Sequence, residues 1–334
     1  MDTPLRIAIN GFGRIGRTLF RLLINHPTIE VVAINDLADA KTLSHLLKYD
    51  SIHGVLTHDV SYTQDSIVVN TKKIPLLNDK KPEDCKWKKY NIDIVIEATG
   101  KFKTRETAQK HINAGAKKVI LSAPPLEDSI QTIVMGVNND MLDGSETIIS
   151  NASCTTNNAA PMIKVVNDLC GIEQAYITTI HSYTTDQSLH DQPHRDLRRA
   201  RAAGQSIVPT TTGAAKALTK IFPTLSDVIG GCGIRVPVPN GSLTDITFNV
   251  QRETSITEIN NAFKQASASY LKGILSYTED PIVSVDIIGN PHSCIFDSLM
   301  TSVIGKMVKI IGWYDNEAAY STRIIDLMSN ICKK

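Results

Sequence analysis

One cysteine in this sequence is surrounded by residue types that could make it a nucleophile. Cys154 stands in the run Ser153-Cys154-Thr155-Thr156-Asn157, which opens a predicted helix. The helix dipole and the unpaired N–H groups of a helix N-terminus favour the thiolate form of a cysteine there. Most cysteines are small core residues, but hydroxyl neighbours are poor core material. The pattern therefore favours a reactive thiol at Cys154.

A histidine offers a base for that thiol. His181 lies where a β-rich run, Gln174–His181, meets a polar and basic segment, Thr184–Pro209, that predicts a long loop. Loops carried by a rigid scaffold often hold functional residues. An imidazole beside Cys154 could hold the thiolate as an ion pair and later accept a proton from a thiohemiacetal hydroxyl. Spacing does not establish contact, and a structural histidine is the alternative.

A second chemical pattern, GxGxxG, predicts a dinucleotide site. Gly11, Gly13 and Gly16 stand between a predicted strand, Leu5–Asn10, and a predicted helix, Arg14–Asn25. Such glycines permit a tight turn, the approach of a pyrophosphate to the backbone and close helix–strand packing. The helix N-terminus adds unpaired N–H groups for the phosphates. A glycine-rich turn without a ligand is the alternative.

An acidic residue at the expected spacing indicates which dinucleotide binds. Asp36 follows the second predicted strand, Ile29–Asn35, twenty positions after Gly16. Its carboxylate can accept hydrogen bonds from ribose hydroxyls and would repel a 2′-phosphate. The cofactor is therefore predicted to be NAD.

The elements around these residues predict two domains. Strand-like and helix-like segments alternate up to residue 152, with a hairpin inserted at Asp59–Pro75, which predicts an α/β fold with a doubly wound, mostly parallel Rossmann sheet. A catalytic α+β domain with a mixed or antiparallel sheet is predicted for 153–316. The NAD-binding domain is then 1–152, and the terminal helix, 317–334, is predicted to pack back on it. Predicted elements are strands at Asp93–Ala98 and Lys118–Ser122, helices at Thr104–Ala114, Ser153–Cys170 and Asn316–Cys332, and antiparallel strands within Ile234–Arg252 and Ile282–Trp313.

Composition excludes several classes of function. The net charge is +1, so there is no bulk attraction to nucleic acid or to an anionic membrane. No signal peptide or membrane span is predicted, and the six cysteines have no metal-ligand spacing, so we expect a cytoplasmic protein without a metal site. The basic run Arg195–Arg201 is expected to form ion pairs at a subunit interface, with a nucleic-acid patch as the alternative.

Seven segments in register resemble the phosphorylating glyceraldehyde-3-phosphate dehydrogenases over the whole chain. They are INGFGRIGR at Ile9–Arg17, NASCTTN at Asn151–Asn157, HSYT at His181–Thr184, DLRRAR at Asp196–Arg201, PTTTGAAKA at Pro209–Ala217, RVPVPN at Arg235–Asn240 and WYDNE at Trp313–Glu317. The resemblance implies oxidation of glyceraldehyde 3-phosphate to 1,3-bisphosphoglycerate with NAD and inorganic phosphate, in glycolysis or gluconeogenesis, by a homotetramer.

The resemblance also implies residue roles. Cys154 matches the nucleophile that carries the thioester, and His181 matches the base. The residues that match the two anion sites and a substrate contact are Ser153, Thr155, Thr212 and Gly213 for one site, Thr184 and Arg235 for the other, and Arg198 for the substrate contact. The residues that match the cofactor site are Gly11, Gly13, Arg14, Ile15, Gly16, Asp36, Lys80, Thr99, Gly100, Ser122, Asn316 and Tyr320.

Departures from the family pattern leave alternatives open. Asn158 stands where the family often has a second cysteine, and Gln192 where NAD-specific members usually have leucine. The segment Pro291–Asp297 resembles erythrose-4-phosphate dehydrogenases, which are the nearest rival, although HSYT and TTTG oppose that reading. A catalytically idle NAD-binding or interaction protein is a rival from another class. The presence of Cys154 and His181 argues against it.

Overall fold

The computed structural model describes residues 4–332 of the chain. The helices are α1 Arg14–Leu23, α2 Ala40–Lys48, α3 Arg105–Asn113, α4 Cys154–Cys170, α5 Ala214–Ile221, α6 Ile256–Ala268 and α7 Ala318–Ile331. The strands of the first half are β1 Leu5–Asn10, β2 Ile29–Asn35, β3 Tyr49–Asp50, β4 Gly54–Val55, β5 Val60–Thr63, β6 Ser66–Val69, β7 Lys72–Leu77, β8 Ile94–Glu97, β9 Lys118–Leu121, β10 Gln131–Thr132 and β11 Ile148–Ser150. The strands of the second half are β12 Ile172–Ser182, β13 Val208–Thr210, β14 Ile229–Val236, β15 Ser242–Val250, β16 Leu275–Thr278, β17 Cys294–Asp297, β18 Ser302–Ile304 and β19 Met307–Tyr314.

The chain forms two compact units. The first contains the chain up to Ile133, Asp140–Ala152 and the chain from Ser321, and the second contains Val134–Asn139 and Ser153–Tyr320. This division departs from the predicted boundaries in two places, at Val134–Asn139 and at residues 317–320. The first departure has a packing cause, because Gly136 lies tightly against the side chains of Leu271 and Ile274.

The first unit is built on a nine-stranded sheet in the order β10-β11-β9-β8-β1-β2-β7-β6-β5. All pairs from β10 to β7 are parallel, and the pairs β7–β6 and β6–β5 are antiparallel. The predicted mostly parallel, doubly wound sheet is confirmed. The inserted segment differs from the predicted hairpin, because its third strand, β7, continues the parallel sheet beside β2.

Two helices of the first unit begin at residues whose side chains cap the helix N-terminus. Helix α3 begins after Thr104, whose hydroxyl accepts a hydrogen bond from the Thr107 N–H, so the predicted threonine cap is confirmed. Helix α2 was not predicted, although Asp39 caps it in the same way by accepting from the Thr42 N–H. Its short apolar repeat is too brief to stand out without that cap.

The second unit carries an eight-stranded mixed sheet with the order β13-β14-β12-β15-β19-β17-β16, and β18 pairs with β19. The pairs β12–β14 and β16–β17 are parallel and the others are antiparallel. Helix α4 packs on its central strands, α5 on β14 and α6 on β16. The sheet that was predicted as mixed or antiparallel is therefore mixed.

Strand β12 shows which face of this sheet the helices cover. Ala175, Ile177, Thr179 and His181 are buried, whereas Tyr176 on the opposite face is 54% exposed. This alternation of buried and exposed side chains places His181 on the covered face. After β12 the predicted loop contains no helix or strand before Val208. Within residues 4–332, the helices are all too short or too polar to cross a bilayer.

Candidate active site

Cys154 is the first residue of α4, and the turn before it is fixed by its neighbours. Ser153 caps the helix, because its hydroxyl accepts a hydrogen bond from the Thr156 N–H at 3.1 Å. Ala152 is buried and has a φ of 57°, a left-handed conformation that costs a non-glycine residue about 1–2 kcal/mol. A strained residue two positions before the predicted nucleophile is consistent with a functional turn.

The structure brings the predicted base to the thiol. Nε2 of His181, near the end of β12, lies 3.4 Å from Sγ of Cys154. Strand β14 runs parallel to β12 and pairs Arg235 with His181 in register. The Arg235 guanidinium lies 2.6 Å from Nδ1 of the ring and donates to the Ser182 carbonyl at 2.9 Å. Three side chains from distant positions of the chain therefore form one cluster.

The tautomer of His181 decides what the ring can do. Nδ1 lies 2.7 Å from the Ser182 carbonyl oxygen, which can only accept a hydrogen bond, and 2.6 Å from the Arg235 guanidinium, which can only donate one. These two neighbours favour opposite tautomers of the ring. With its proton on Nδ1, the ring donates to that carbonyl and presents the lone pair of Nε2 to Sγ of Cys154. This is the form that a general base requires.

Burial changes the charge expected for this pair. Burial raises the pKa of the Cys154 thiol, while the Arg235 cation and the Thr155 N–H act in the opposite direction. Burial, together with the nearby Arg235 cation, lowers the pKa of His181 to about 3. Both effects on His181 disfavour the imidazolium of the predicted imidazolium–thiolate ion pair. Arg235 is the cation that favours the thiolate.

A tyrosine of the WYDNE segment lies beneath the pair and was missed by sequence reasoning. The Tyr314 hydroxyl is hydrogen-bonded to the Thr155 and Thr179 hydroxyls at 2.9 and 3.0 Å. Its ring meets the His181 ring edge-on, with 5.9 Å between centroids. Burial raises the pKa of Tyr314, so it stays a neutral hydrogen-bonding group. The hydroxyl of Thr155, expected at an anion site, is thus already bonded to Tyr314.

Arg198, the arginine expected to contact the substrate, and its neighbour Arg199 have different surroundings. The Arg198 side chain is exposed, whereas that of Arg199 points into the protein. Arg199 donates to the Thr210 hydroxyl at 2.9 Å and to the Thr211 carbonyl, and it pairs with Asp186. Its positive charge also acts on His181, so Arg199 belongs to the cluster around the ring. The sequence contains two adjacent arginines, and only the folded structure shows that their side chains have different surroundings.

The remaining predicted anion-binding residues lie at a loop turn and at a helix start. Thr212 accepts a hydrogen bond from the Ala214 N–H at 3.2 Å, and Gly213 is the N-cap of α5. The Thr184 N–H and hydroxyl both donate to the Gln187 side-chain oxygen. Hydroxyls, guanidinium groups and helix N-terminal N–H groups are the donors that bind oxyanions in proteins.

The glycine loop of the first unit fits a dinucleotide. Gly11 has a φ of +95°, and a side chain there would collide with the backbone of Ala98 and Thr99. A side chain on Gly16 would collide with the Gly11 carbonyl, whereas nothing lies within 4 Å of the place for one on Gly13. Helix α1 starts at Arg14 without a side-chain cap. The exposed face of the loop at Gly13 therefore has room for a ligand such as a pyrophosphate.

Acidic residues hold this loop and the arginine at its helix. Asp36 accepts hydrogen bonds from the N–H groups of Phe12 and Ala38 at 2.7 and 3.0 Å. Arg14, expected over the pyrophosphate, makes a two-pronged ion pair with Asp50. That ion pair and the N–H groups of the following turn lower the pKa of Asp50 to about 2. Asp36 therefore shapes the loop, a role beyond the one expected of it toward ribose.

A buried network supports the strand ends and was not anticipated. The Glu97 carboxylate accepts from the Asn10 amide at 2.5 Å, from the Thr99 N–H at 2.9 Å and from the Thr99 hydroxyl. His111 contacts Glu97 through Nε2 at 3.1 Å, and Trp87 donates to its Nδ1 at 3.0 Å. The indole donor leaves the ring proton on Nε2, facing the carboxylate. Thr99, a predicted cofactor residue, is thereby held in place by Glu97.

The other predicted cofactor residues belong to both units. In the first unit, Thr99, Gly100 and Ser122 follow β8 and β9 at the carboxyl end of the parallel sheet, where ligands of such sheets bind. The Lys80 side chain is exposed and forms no ion pair or hydrogen bond within residues 4–332. In the second unit, Asn316 and Tyr320 are both buried. Within the described part of the chain, no cluster of histidine, cysteine or acidic side chains could hold a metal ion.

Comparisons with known proteins agree with this geometry. Two family models match the chain: the glyceraldehyde 3-phosphate dehydrogenase NAD binding domain over residues 5–105 and the C-terminal domain of the same family over residues 153–316. Glyceraldehyde-3-phosphate dehydrogenase 2 of Streptomyces avermitilis is 54% identical over 326 residues, which is 97% of each chain. Glyceraldehyde-3-phosphate dehydrogenase of Geobacillus stearothermophilus is 52% identical over 332 residues, which is 99% of each chain.

Proposed function

This chain belongs to the glyceraldehyde-3-phosphate dehydrogenase family, and from that membership we propose that it oxidises D-glyceraldehyde 3-phosphate to 1,3-bisphosphoglycerate with NAD and inorganic phosphate. The observation that carries the proposal is the thiol of Cys154, at the capped start of α4, with Nε2 of His181 3.4 Å away. Nucleophile and base within reach of each other are the arrangement that covalent aldehyde chemistry requires.

The first half of the reaction uses this pair. The Cys154 sulfur attacks the aldehyde carbon, and a C–S bond forms as the thiol proton is lost and the aldehyde oxygen becomes a hydroxyl. His181, neutral because burial lowers its pKa to about 3, then accepts the hydroxyl proton. NAD, when bound, takes up the hydride that leaves the carbon. A thioester remains on Cys154.

The second half releases the product. An oxygen of inorganic phosphate attacks the thioester carbonyl, the C–S bond breaks, and the sulfur of Cys154 leaves as a thiolate. The N–H groups at the start of α4 favour both this leaving group and the oxyanion that forms at the carbonyl. The product is an acyl phosphate, and Cys154 is ready for another aldehyde.

Two anions must be held during this sequence, the phosphate of the substrate and the attacking phosphate. We assign one site to Ser153, Thr155, Thr212 and Gly213 and the other to Thr184 and Arg235. Arg199 replaces Arg198 as the substrate arginine, because Arg199 joins Thr210 and Thr211 and its charge acts on His181. Guanidinium groups that are already held by neighbours lose little freedom when they bind an anion.

Each unit has a proposed part in holding NAD. In the first unit, the N–H groups after Gly13 bind the pyrophosphate, and Asp36 accepts from the adenosine ribose. We assign to the same site the residues Arg14, Ile15, Thr99, Gly100, Ser122 and Lys80. In the second unit, Asn316 binds the nicotinamide carboxamide, and Tyr320 packs near it. The proposed domains are therefore an NAD-binding domain and a catalytic domain.

A homotetramer in the cytoplasm is the proposed assembly and location. The face of the second sheet opposite α4, α5 and α6 is solvent-exposed and carries apolar side chains, among them Tyr176 and Met307. Exposed apolar patches of this kind mark association sites. All six cysteines are free thiols, as expected in a reducing compartment.

A steady-state assay separates this function from its rivals. NADH formation is followed with glyceraldehyde 3-phosphate and with erythrose 4-phosphate, each with and without inorganic phosphate. We expect the larger kcat/KM for glyceraldehyde 3-phosphate, with turnover that depends on phosphate. A preference for erythrose 4-phosphate would assign the chain to the rival enzyme. No turnover with either aldehyde would contradict catalysis altogether.

A further inference from the structure

Two buried serines converge on the side chain of Asn316. The hydroxyls of Ser182 and Ser242 lie 2.8 and 2.9 Å from its Oδ1 and donate to it. Ser242 is itself fixed, because its oxygen accepts the Ser182 N–H at 3.1 Å. Within residues 4–332, the Asn316 amide nitrogen has no hydrogen-bond partner. Ser182 stands at the end of β12, Ser242 opens β15, and Asn316 follows β19.

The hydroxyl protons decide which way the amide points. Both serines are buried, and their protons have Oδ1 of Asn316 as acceptor. If the amide were rotated by 180°, its NH₂ would face the two hydroxyls. Ser182 and Ser242 would then lose the acceptor for their protons, and only a 3.5 Å contact between the two hydroxyls would remain. Buried donors without acceptors are costly, so the network keeps one orientation.

We propose that Ser182 and Ser242 are positioning residues that make Asn316 a donor only, so that its NH₂ reads the carbonyl oxygen of the nicotinamide carboxamide. This inference rests on the proposed role of Asn316 at the cofactor. It goes further by specifying which atom of the carboxamide is recognised and which residues enforce that choice. The orientation of the carboxamide then sets which face of the nicotinamide ring receives the hydride.

The direction of the proposed hydrogen bond, from the Asn316 NH₂ to the carboxamide oxygen, can be tested by changing the groups on each side of it. Thionicotinamide adenine dinucleotide carries sulfur, a weak acceptor, in place of the carboxamide oxygen. The wild-type protein should therefore bind it less tightly than NAD. In the double variant Ser182→Ala/Ser242→Ala the amide is no longer held, so Kd for NAD should rise roughly tenfold. The ratio of the two dissociation constants should fall by roughly fivefold toward one.

A control variant separates positioning from general damage. Ser298 is also buried in the second unit, and its hydroxyl donates to the Thr278 carbonyl, away from Asn316. Ser298→Ala should cost stability as the serine variants do, but it should leave both dissociation constants unchanged. Asn316→Asp keeps an acceptor for both serines while removing the donor, so it should weaken NAD binding at least as much as the double serine variant.

The experiment is calorimetric titration of these variants with both dinucleotides, together with the stereochemistry of hydride transfer from deuterated substrate. Weaker NAD binding, a collapsed ratio and partial loss of facial selectivity in the double serine variant would support the proposal. Unchanged NAD binding and selectivity in that variant, while Asn316→Asp binds NAD weakly, would overturn it. Unchanged NAD binding in Asn316→Asp itself would instead overturn the cofactor role given to Asn316.

Discussion

The glycine loop of the first unit and the Cys154–His181 cluster of the second present different chemical groups, backbone in one and side chains in the other. The loop offers mainly backbone N–H groups, and its glycines follow one another within six residues, Gly11 to Gly16. The cluster is made of buried and half-buried side chains that come from α4, β12 and β14. Local sequence therefore specifies the loop, whereas tertiary packing specifies the cluster.

Burial also has different consequences in the two regions. In the first unit the buried carboxylate of Glu97 is surrounded by donors from Asn10, Thr99 and His111. In the second unit burial pushes the thiol and the imidazole toward their neutral forms, whereas Arg235 and the Thr155 N–H favour the thiolate. Side-chain substitutions should therefore damage chemistry in the second unit far more than binding in the first.

The largest expected effect is that of Cys154→Ser. A serine hydroxyl is barely ionised near neutral pH and no thioester can form, so phosphate-dependent NADH formation should be lost almost entirely. Cys232→Ser is the control, because Cys232 lies on β14 away from α4, and it should retain activity. Near-normal turnover of Cys154→Ser in a steady-state assay would contradict the role of Cys154 as the nucleophile.

The next effect is that of His181→Asn. It removes proton transfer, which is worth roughly 10²- to 10⁴-fold in kcat, but leaves the cap of α4 and the anion-binding residues in place. Because burial lowers the pKa of His181 to about 3, the base is neutral across the working pH range. Protonation of this ring should therefore not limit kcat at mildly acidic pH. An unchanged kcat in His181→Asn would contradict its role.

The adjacent arginines give a matched pair. Arg199→Ala removes the bonds to Thr210 and Thr211, so KM for the phosphorylated aldehyde or for inorganic phosphate should rise roughly tenfold to a hundredfold. Arg198→Ala removes an exposed side chain and should change either KM by less than about twofold. Steady-state kinetics with both substrates measure this. A larger effect from Arg198 would restore the assignment made from sequence.

A smaller effect is expected at the glycine loop. Asp36→Asn keeps an oxygen that can accept the Phe12 N–H, but it removes the charge that would repel a 2′-phosphate. The preference for NAD over NADP, measured as a ratio of kcat/KM values, should fall roughly tenfold while kcat with NAD changes little. A loss of kcat as large as that of His181→Asn would show that the loop is no more tolerant than the cluster.

The smallest expected effect is a shift in a pH profile. The Arg235 cation lowers the pKa of the Cys154 thiol against the effect of burial. Arg235→Gln removes that cation, so the thiolate should form only at higher pH. The rate of alkylation by iodoacetamide, an uncharged reagent, measures this, with Arg198→Gln as the control. A profile shifted to lower pH would contradict the assigned charge effect.

Sequence reasoning was most successful where one segment contains the whole signal. The glycine loop with its flanking strand and helix, the cap at Thr104 and the helix after Ser153 were predicted because neighbours along the chain determine them. Helix α6 was missed, because its Asn260, Asn261 and Gln265 interrupt the apolar repeat.

Long-range contacts account for the rest of what was missed. Three features depend on residues that meet only in the folded chain: the ion pair of Arg199 with Asp186, the contact of Tyr314 with His181, and the hydrogen bonds of Glu97 to Asn10 and His111. The lowered pKa of His181 likewise follows from burial, which motif spacing does not reveal.

Trapping the acyl-enzyme tests most sharply whether Cys154 carries the thioester. The protein is mixed with NAD and glyceraldehyde 3-phosphate without inorganic phosphate, quenched in acid and digested for peptide mass mapping. The account predicts one stoichiometric 3-phosphoglyceroyl group on the peptide that contains Cys154, and its loss when phosphate is added before the quench. An acyl group on a peptide containing Cys232 or Cys294, or stoichiometric NADH formation without any acylated peptide, would contradict the account.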